Sequence, residues 1–188
     1  MSDACFMIPA NTRWLALFLI LAFSSSASAD EKLWSLLKSG GHVVLIRHAV
    51  TTPGAGDPPG FRLDDCNTQR NLTDAGREHA RRIGEEWRKR AIPVERVLSS
   101  PWCRCIETAK LAFGKAEVSE ALGNLFGRHE NQQAQVKAMK ALSPKSEKAN
   151  LVLLTHGSTI AALTGINPGT GEMVILTRGA VAGRLLVE

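Results

Sequence analysis

The stretch Val43-Val44-Leu45-Ile46-Arg47-His48-Ala49-Val50-Thr51 decides the fold. Four consecutive aliphatic residues leave no polar face, so the segment reads as a strand covered on both sides, at the centre of an α/β sheet. In such sheets reactive clefts open beyond the carboxyl ends of the strands, and that is where Arg47 and His48 stand. A long loop follows, from Thr51 to Asn71, carrying Gly54, Gly56, Gly60, Pro53, Pro58 and Pro59. Loops of that length inside a compact domain are usually functional, so this one is expected to line the cleft.

Outward from this strand the chain alternates helix and strand. Upstream, Glu31 to Lys38 places Leu33, Trp34, Leu36 and Leu37 on one side and ends at Gly40-Gly41, the pattern of a short amphipathic helix with a glycine stop. Downstream, Thr73 caps a helix reaching about Arg90, with Ala80, Ile83, Trp87 and Ala91 forming the buried stripe and His79 reading as an ordinary helix histidine. Val94 to Ser99 is a second strand. Ser100 is placed to cap the following helix with Pro101 at its first position and Gly114 as its stop, which sets Arg104 near the positive end of the helix dipole. Ala116 to Ser119 reads as a short edge strand, Glu120 to Glu130 as loop, and Asn131 to Leu142 as a helix with Ala134, Ala138 and Leu142 inward. Leu151 to Thr155 is the second strongly apolar strand. It ends in His156-Gly157-Ser158-Thr159, which opens a helix to Thr164, and Met173 to Leu176 and Arg184 to Val187 complete the sheet.

The first 29 residues read as a leader. Arg13 precedes the short apolar run Trp14 to Phe23, and Ala27-Ser28-Ala29 is the small-x-small pattern of a signal peptidase site. The apolar run is shorter than the roughly 20 residues a membrane span needs, so the expectation is a cleaved signal peptide, residues 1–29, a domain over residues 30–188, no remaining span, and a periplasmic or secreted product. Export leaves Cys66, Cys103 and Cys105 in a compartment that permits disulfides, where Cys66 pairs with either Cys103 or Cys105. A nucleophilic cysteine beside Arg104 ranks below the bridge.

With 188 residues, 44% of them apolar and 22% charged, the chain has the composition of one globular domain with a sizeable core. A net charge of +5 favours anionic ligands. The basic residues are scattered and no nucleic-acid module appears, so no nucleic-acid partner is expected. His129-Glu130-Asn131-Gln132-Gln133 lacks the second histidine of a zinc protease helix, and Cys-x-Cys with one distant cysteine is not a zinc set. What remains is cationic. Two buried strands each end in a histidine, and Arg47 and Arg104 accompany them, a set suited to a dianionic phosphoryl group, which needs positioning and charge neutralisation.

Leu45-Ile46-Arg47-His48-Ala49, the run from Ser99 to Ala109 containing Arg104 and Glu107-Thr108-Ala109, and Thr155-His156-Gly157 together resemble the histidine phosphatase superfamily, the phosphoglycerate mutase-like fold. Asn71-Leu72-Thr73-Asp74-Ala75-Gly76-Arg77 is similar to that family's Leu-Thr-x-x-Gly helix start, and the resemblance runs from about His42 through Thr159. It implies a three-layer α/β/α architecture with a mostly parallel central sheet flanked by helices. It also implies His48 as phosphohistidine nucleophile, a phosphate pocket of Arg47, Arg104 and His156, and no metal or cofactor. There are departures: Ala49 stands where the family has glycine, and His156-Gly157 replaces the His-Asp of the phytase branch. The mutase-like branch takes its acid from a glutamate after the third strand, where Glu120 is the nearest candidate.

The expected activity is hydrolysis of phosphate monoesters, with a phosphorylated small molecule or an envelope phosphate as partner. Mutase action on a cytoplasmic phosphoglycerate fits poorly with a leader. A non-catalytic phosphate-binding or interaction module on the same fold is the alternative from another class.

Overall fold

The computed structural model of the protein describes residues 29–188. The expected signal peptide lies outside the described residues, save for its last position. Residues 33–188 form one compact unit, and of the unit before it, residues 1–32, only positions 29–32 are described, as helix. Among the described residues no helix is long and apolar enough to cross a membrane.

Residues 33–39 belong to helix α1. The elements that follow are β1 (Val43–Arg47), α2 (Asp74–Lys89), β2 (Val94–Ser99), α3 (Cys103–Phe113), β3 (Glu117–Val118), α4 (Gln132–Lys140), β4 (Asn150–Thr155), α5 (Gly157–Thr164), β5 (Met173–Thr177) and β6 (Ala180–Leu185). Short 3-10 turns occupy Cys66–Thr68, Glu120–Leu122 and His129–Asn131. The six strands form one sheet in the order β3-β2-β4-β1-β5-β6. β3, β2, β4 and β1 run parallel, whereas β5 pairs antiparallel with both β1 and β6.

The unbroken apolar run of β1 is explained by the two cores it serves. Val44 and Ile46 join a cluster with Trp34 and Leu37 of α1, Ile83 and Trp87 of α2 and Ala109 and Ala112 of α3. Leu45 points the other way, into a cluster with Leu122, Met139 of α4, Ile160 of α5 and Leu153 of β4. Alternation along a strand sends successive side chains to opposite faces, so a strand between two helical layers has no polar side to show. The expected three-layer architecture follows.

Several boundaries and faces differ from expectation. Ser100 and Pro101 do not open α3: its N-cap is Trp102, without a side-chain cap bond, and Ser100 is drawn to His156 instead. On α4 the buried residue is Met139, while Ala134 and Ala138 are exposed; a stripe of small residues carries too little apolar area to compete with methionine for the core. The last strand is Ala180–Leu185 rather than Arg184 to Val187, because β5 turns back through Arg178-Gly179 into a hairpin. His79 is buried, with Nε2 donating to the Val187 carbonyl at 2.7 Å.

Candidate active site

The register places the chemistry. Arg47 of β1 pairs with Thr155 of β4, so the two strands end side by side, and the residues that follow, His48 and His156, lie with their rings 5.5 Å apart. β2 ends beside them: Ser100 N–H donates to the Leu154 carbonyl at 2.9 Å, which delivers the start of α3 and Arg104 to the same rim. Thr108, one turn along α3, donates to the Arg104 carbonyl and accepts from Ala49 N–H, at 2.7 and 3.1 Å, tying the helix to the segment after β1. Helix α2 is seated on that segment too. Thr73 accepts from Gly76 N–H at 3.0 Å, and a Cβ at Gly76 would lie 2.0 Å from the Val50 carbonyl oxygen, so only glycine permits this approach.

These elements enclose a cleft of about 490 Å³ lined by Arg47, His48, Arg70, Arg104, His156 and Ser158, with Gly54 to Gly56, Asn124, Phe126 and Asn167 at its sides. His48 Nδ1 lies 2.9 Å from the Ala49 carbonyl oxygen. A carbonyl only accepts, so Nδ1 carries the proton and Nε2 keeps its lone pair. Burial pushes the His48 imidazole down to about 3, and the charges of Arg104, Arg47 and Arg70 act in the same direction, so the ring is neutral near pH 7. His156 is held well below its ordinary value, first by burial and then by His48 and the same arginines. Its Nε2 lies 2.8 Å from Ser100 Oγ.

Three guanidinium groups face this pair. Arg47 donates from Nη1 to the Pro168 carbonyl at 2.7 Å, Arg70 from Nη1 to the Gly54 carbonyl at 2.9 Å, and Arg104 from Nη1 and Nη2 to Asp57 at 2.6 and 3.2 Å. In each of the three, Nε is buried without a hydrogen-bond partner. A buried unpaired donor is costly, and three arginines that each carry one while lining the same cleft suit an oxyanion. Among the described residues no group of His, Cys, Asp and Glu is placed to hold a metal ion.

Residues 43–135 match the model of the histidine phosphatase superfamily (branch 1). The matched residues belong to the histidine phosphatase superfamily. Solved structures show the same fold: phosphoglycerate mutase from Thermus thermophilus is 22% identical, with 78% of this chain and 99% of that one covered and a TM-score of 0.55. TTHB049 from the same organism is 22% identical over 77% and 99%, with a TM-score of 0.53. The Rv3214 protein of Mycobacterium tuberculosis is 17% identical over 78% and 97%, with a TM-score of 0.55. No curated protein sequence matches the chain.

Of the superfamily quartet expected from the sequence, Arg47, His48 and Arg104 fall inside the matched span, and tertiary structure brings in His156 from beyond it. Ala49 has no positive φ, so its side chain, a departure from the expected Arg-His-Gly motif, is accommodated. Glu120 is not brought to the site. It lies exposed in a 3-10 turn, outside the cleft lining, because Leu122 must point into the core and Thr155 and Thr159 fasten the carbonyls of Leu122 and Gly123. No carboxylate stands among the cleft-lining residues. The bridge is Cys66–Cys103, and Cys105 is free. Burial pushes the Cys105 thiol up to about 12, which removes it as a nucleophile. Arg70 and Asp57 escaped sequence reading; Arg70 adjoins the recognisable Asn71-Leu72-Thr73 start, and that adjacency is the only hint of its role.

Proposed function

We propose that this protein is an exported phosphatase that hydrolyses phosphate monoesters through a phosphohistidine on His48, without a metal. One observation carries the reading: His48, with Nε2 unprotonated, lines a cleft with three arginines whose Nε groups have no partner. Neutral His48 attacks phosphorus through Nε2, and the bond from phosphorus to the ester oxygen breaks with its electron pair leaving on that oxygen. Arg47, Arg70 and Arg104 hold the equatorial oxygens, supplying the neutralisation that phosphoryl transfer demands, and His156 adds an imidazole beside them. Water then attacks phosphorus, the bond to Nε2 breaks, and phosphate leaves with His48 restored.

The substrate is a phosphorylated small molecule or an envelope phosphate. The leader pattern of residues 1–29 and the Cys66–Cys103 bridge support a periplasmic or secreted setting, since such bridges persist where thiols are oxidised. With no carboxylate lining the cleft, the leaving oxygen takes its proton from solvent, so substrates with stabilised leaving groups turn over fastest.

Rapid alkaline quench of wild-type protein mixed with radiolabelled p-nitrophenyl phosphate should trap a base-stable, acid-labile label that His48→Asn lacks. Hydrolysis by His48→Asn at the wild-type rate overturns the mechanism, and a protein that binds phosphate yet never takes up label is a binding module. In single turnovers with a series of aryl phosphates, the transfer rate should fall steeply as the pKa of the leaving phenol rises. A flat dependence would reveal an acid at the site.

A further inference from the structure

We propose that Asp57 is a positioning residue for this site, holding Arg104 by its far end so that its Nε edge is turned to the phosphoryl group; this rests on the phosphatase reading of the cleft. Asp57 sits in the Gly/Pro-rich loop after β1, yet its side chain is 3% exposed and that of Arg104 only 1%. Its Oδ1 accepts from Arg104 Nη1 at 2.6 Å and from Arg70 N–H at 3.1 Å, and its Oδ2 accepts from Arg104 Nη2 at 3.2 Å and Trp102 Nε1 at 2.9 Å. One carboxylate therefore fixes one phosphate-facing arginine through both terminal nitrogens and the backbone of a second. Burial works to raise the Asp57 carboxyl, but the hydrogen bonds from Arg104 and Arg70 N–H outweigh it and keep it below its ordinary value. Asp57 is thus an anion at neutral pH and no proton donor.

A guanidinium has five donors in a rigid plane. Spending the Nη end on Asp57 leaves the Nε edge of Arg104, buried and unpartnered in a residue that lines the cleft. The carboxylate also offsets one of three like charges drawn together at Arg47, Arg70 and Arg104, which lets them converge before any phosphate arrives. Trp102 completes the arrangement: its indole N–H holds Asp57 while its ring lies 5.2 Å from that of His156. The Gly/Pro-rich loop is thereby tied into the site through the side chain that aims the arginine.

The test uses the whole mature protein, with melting temperature recorded for each variant. Inorganic phosphate binding by calorimetry reads positioning without turnover, and p-nitrophenyl phosphate hydrolysis reads catalysis. Asp57→Asn should weaken phosphate binding and lower kcat/KM by roughly 10²-fold, the scale of a misplaced binding group. Asp57→Glu, which keeps the charge and shifts the carboxylate, should lose kcat as well. In Arg104→Gln, adding Asp57→Asn should cost far less than it does alone, because the residue it chiefly aims is gone. Additive losses, or folded Asp57 variants that bind phosphate and turn over like wild type, overturn the proposal. Tighter phosphate binding in Asp57→Asn also overturns it, showing Asp57 to be a competitor for Arg104. An active wild type with a fully active His48→Asn rejects the phosphohistidine reading and leaves the phosphate-binding comparison to decide Asp57.

Discussion

At Nδ1, His48 meets the carbonyl of its neighbour Ala49, and that contact leaves Nε2 of a buried imidazole with its lone pair, as the proposed nucleophile requires. The arginines divide their donors in the same way. Arg47 spends Nη1 on Pro168 and keeps Nε unpartnered, so in the proposed site its planar fork would serve scaffold and ligand together. An ammonium has no such fork. Arg47→Lys is expected to keep the charge yet lower kcat/KM by about 10²-fold, the usual cost of one lost transition-state donor. Steady-state kinetics on p-nitrophenyl phosphate checks this, and unchanged kinetics would show that Arg47 acts only as a charge. Gly157 explains why the space is reserved: a Cβ there would stand 3.4 Å from Arg47 Cζ and 2.9 Å from Asn167 Oδ1.

Among the elements, the loop between β1 and α2 depends most on its fastenings. Its base is closed where Thr52 N–H donates to the Asn71 carbonyl, Gln69 accepts from Cys103 N–H at 3.0 Å, and the Cys66–Cys103 bridge joins it covalently to the first turn of α3. The bridge spans 37 positions, for which chain-entropy reasoning assigns about 4 kcal/mol of stability. Replacing both cysteines by serine should lower the denaturant midpoint accordingly and raise KM for phosphate esters more than it lowers kcat, since Arg70 and Asp57 ride on the freed loop. Unchanged stability and KM in the double variant would mean that hydrogen bonds alone hold the loop.

For the whole molecule, two imidazoles buried among arginines make stability depend on pH. Both titrate below their ordinary value of 6.5 in the folded protein, His48 at about 3. Between these limits the unfolded chain binds protons that the native state refuses, so stability present above about pH 6.5 is lost on acidification, at about 1.4 kcal/mol per pH unit for each histidine. Urea midpoints between pH 7 and 4.5 should fall in wild type and flatten when His48 and His156 are both replaced by asparagine. A wild-type midpoint constant across that window would show that the two rings take up protons in the folded protein.

The strand between Val43 and Arg47, the capped start at Thr73, the Gly114 stop and the four residues Arg47, His48, Arg104 and His156 were all legible in the sequence, because each rests on local periodicity or a short motif. Those signals are short-ranged, and they determined the architecture. Only tertiary structure selected Cys103 over Cys105 as the partner of Cys66, took Ser100 from the helix cap to His156, turned Glu120 away from the cleft, brought Arg70 into it and set Asp57 behind Arg104. The physical reason is common to all of these. Each outcome depends on which groups the sheet register and the folded loop bring within hydrogen-bond distance across 33 to 56 positions of chain, as for the Thr155 hydroxyl with the Leu122 carbonyl and Ser100 with His156, and no local pattern encodes that proximity.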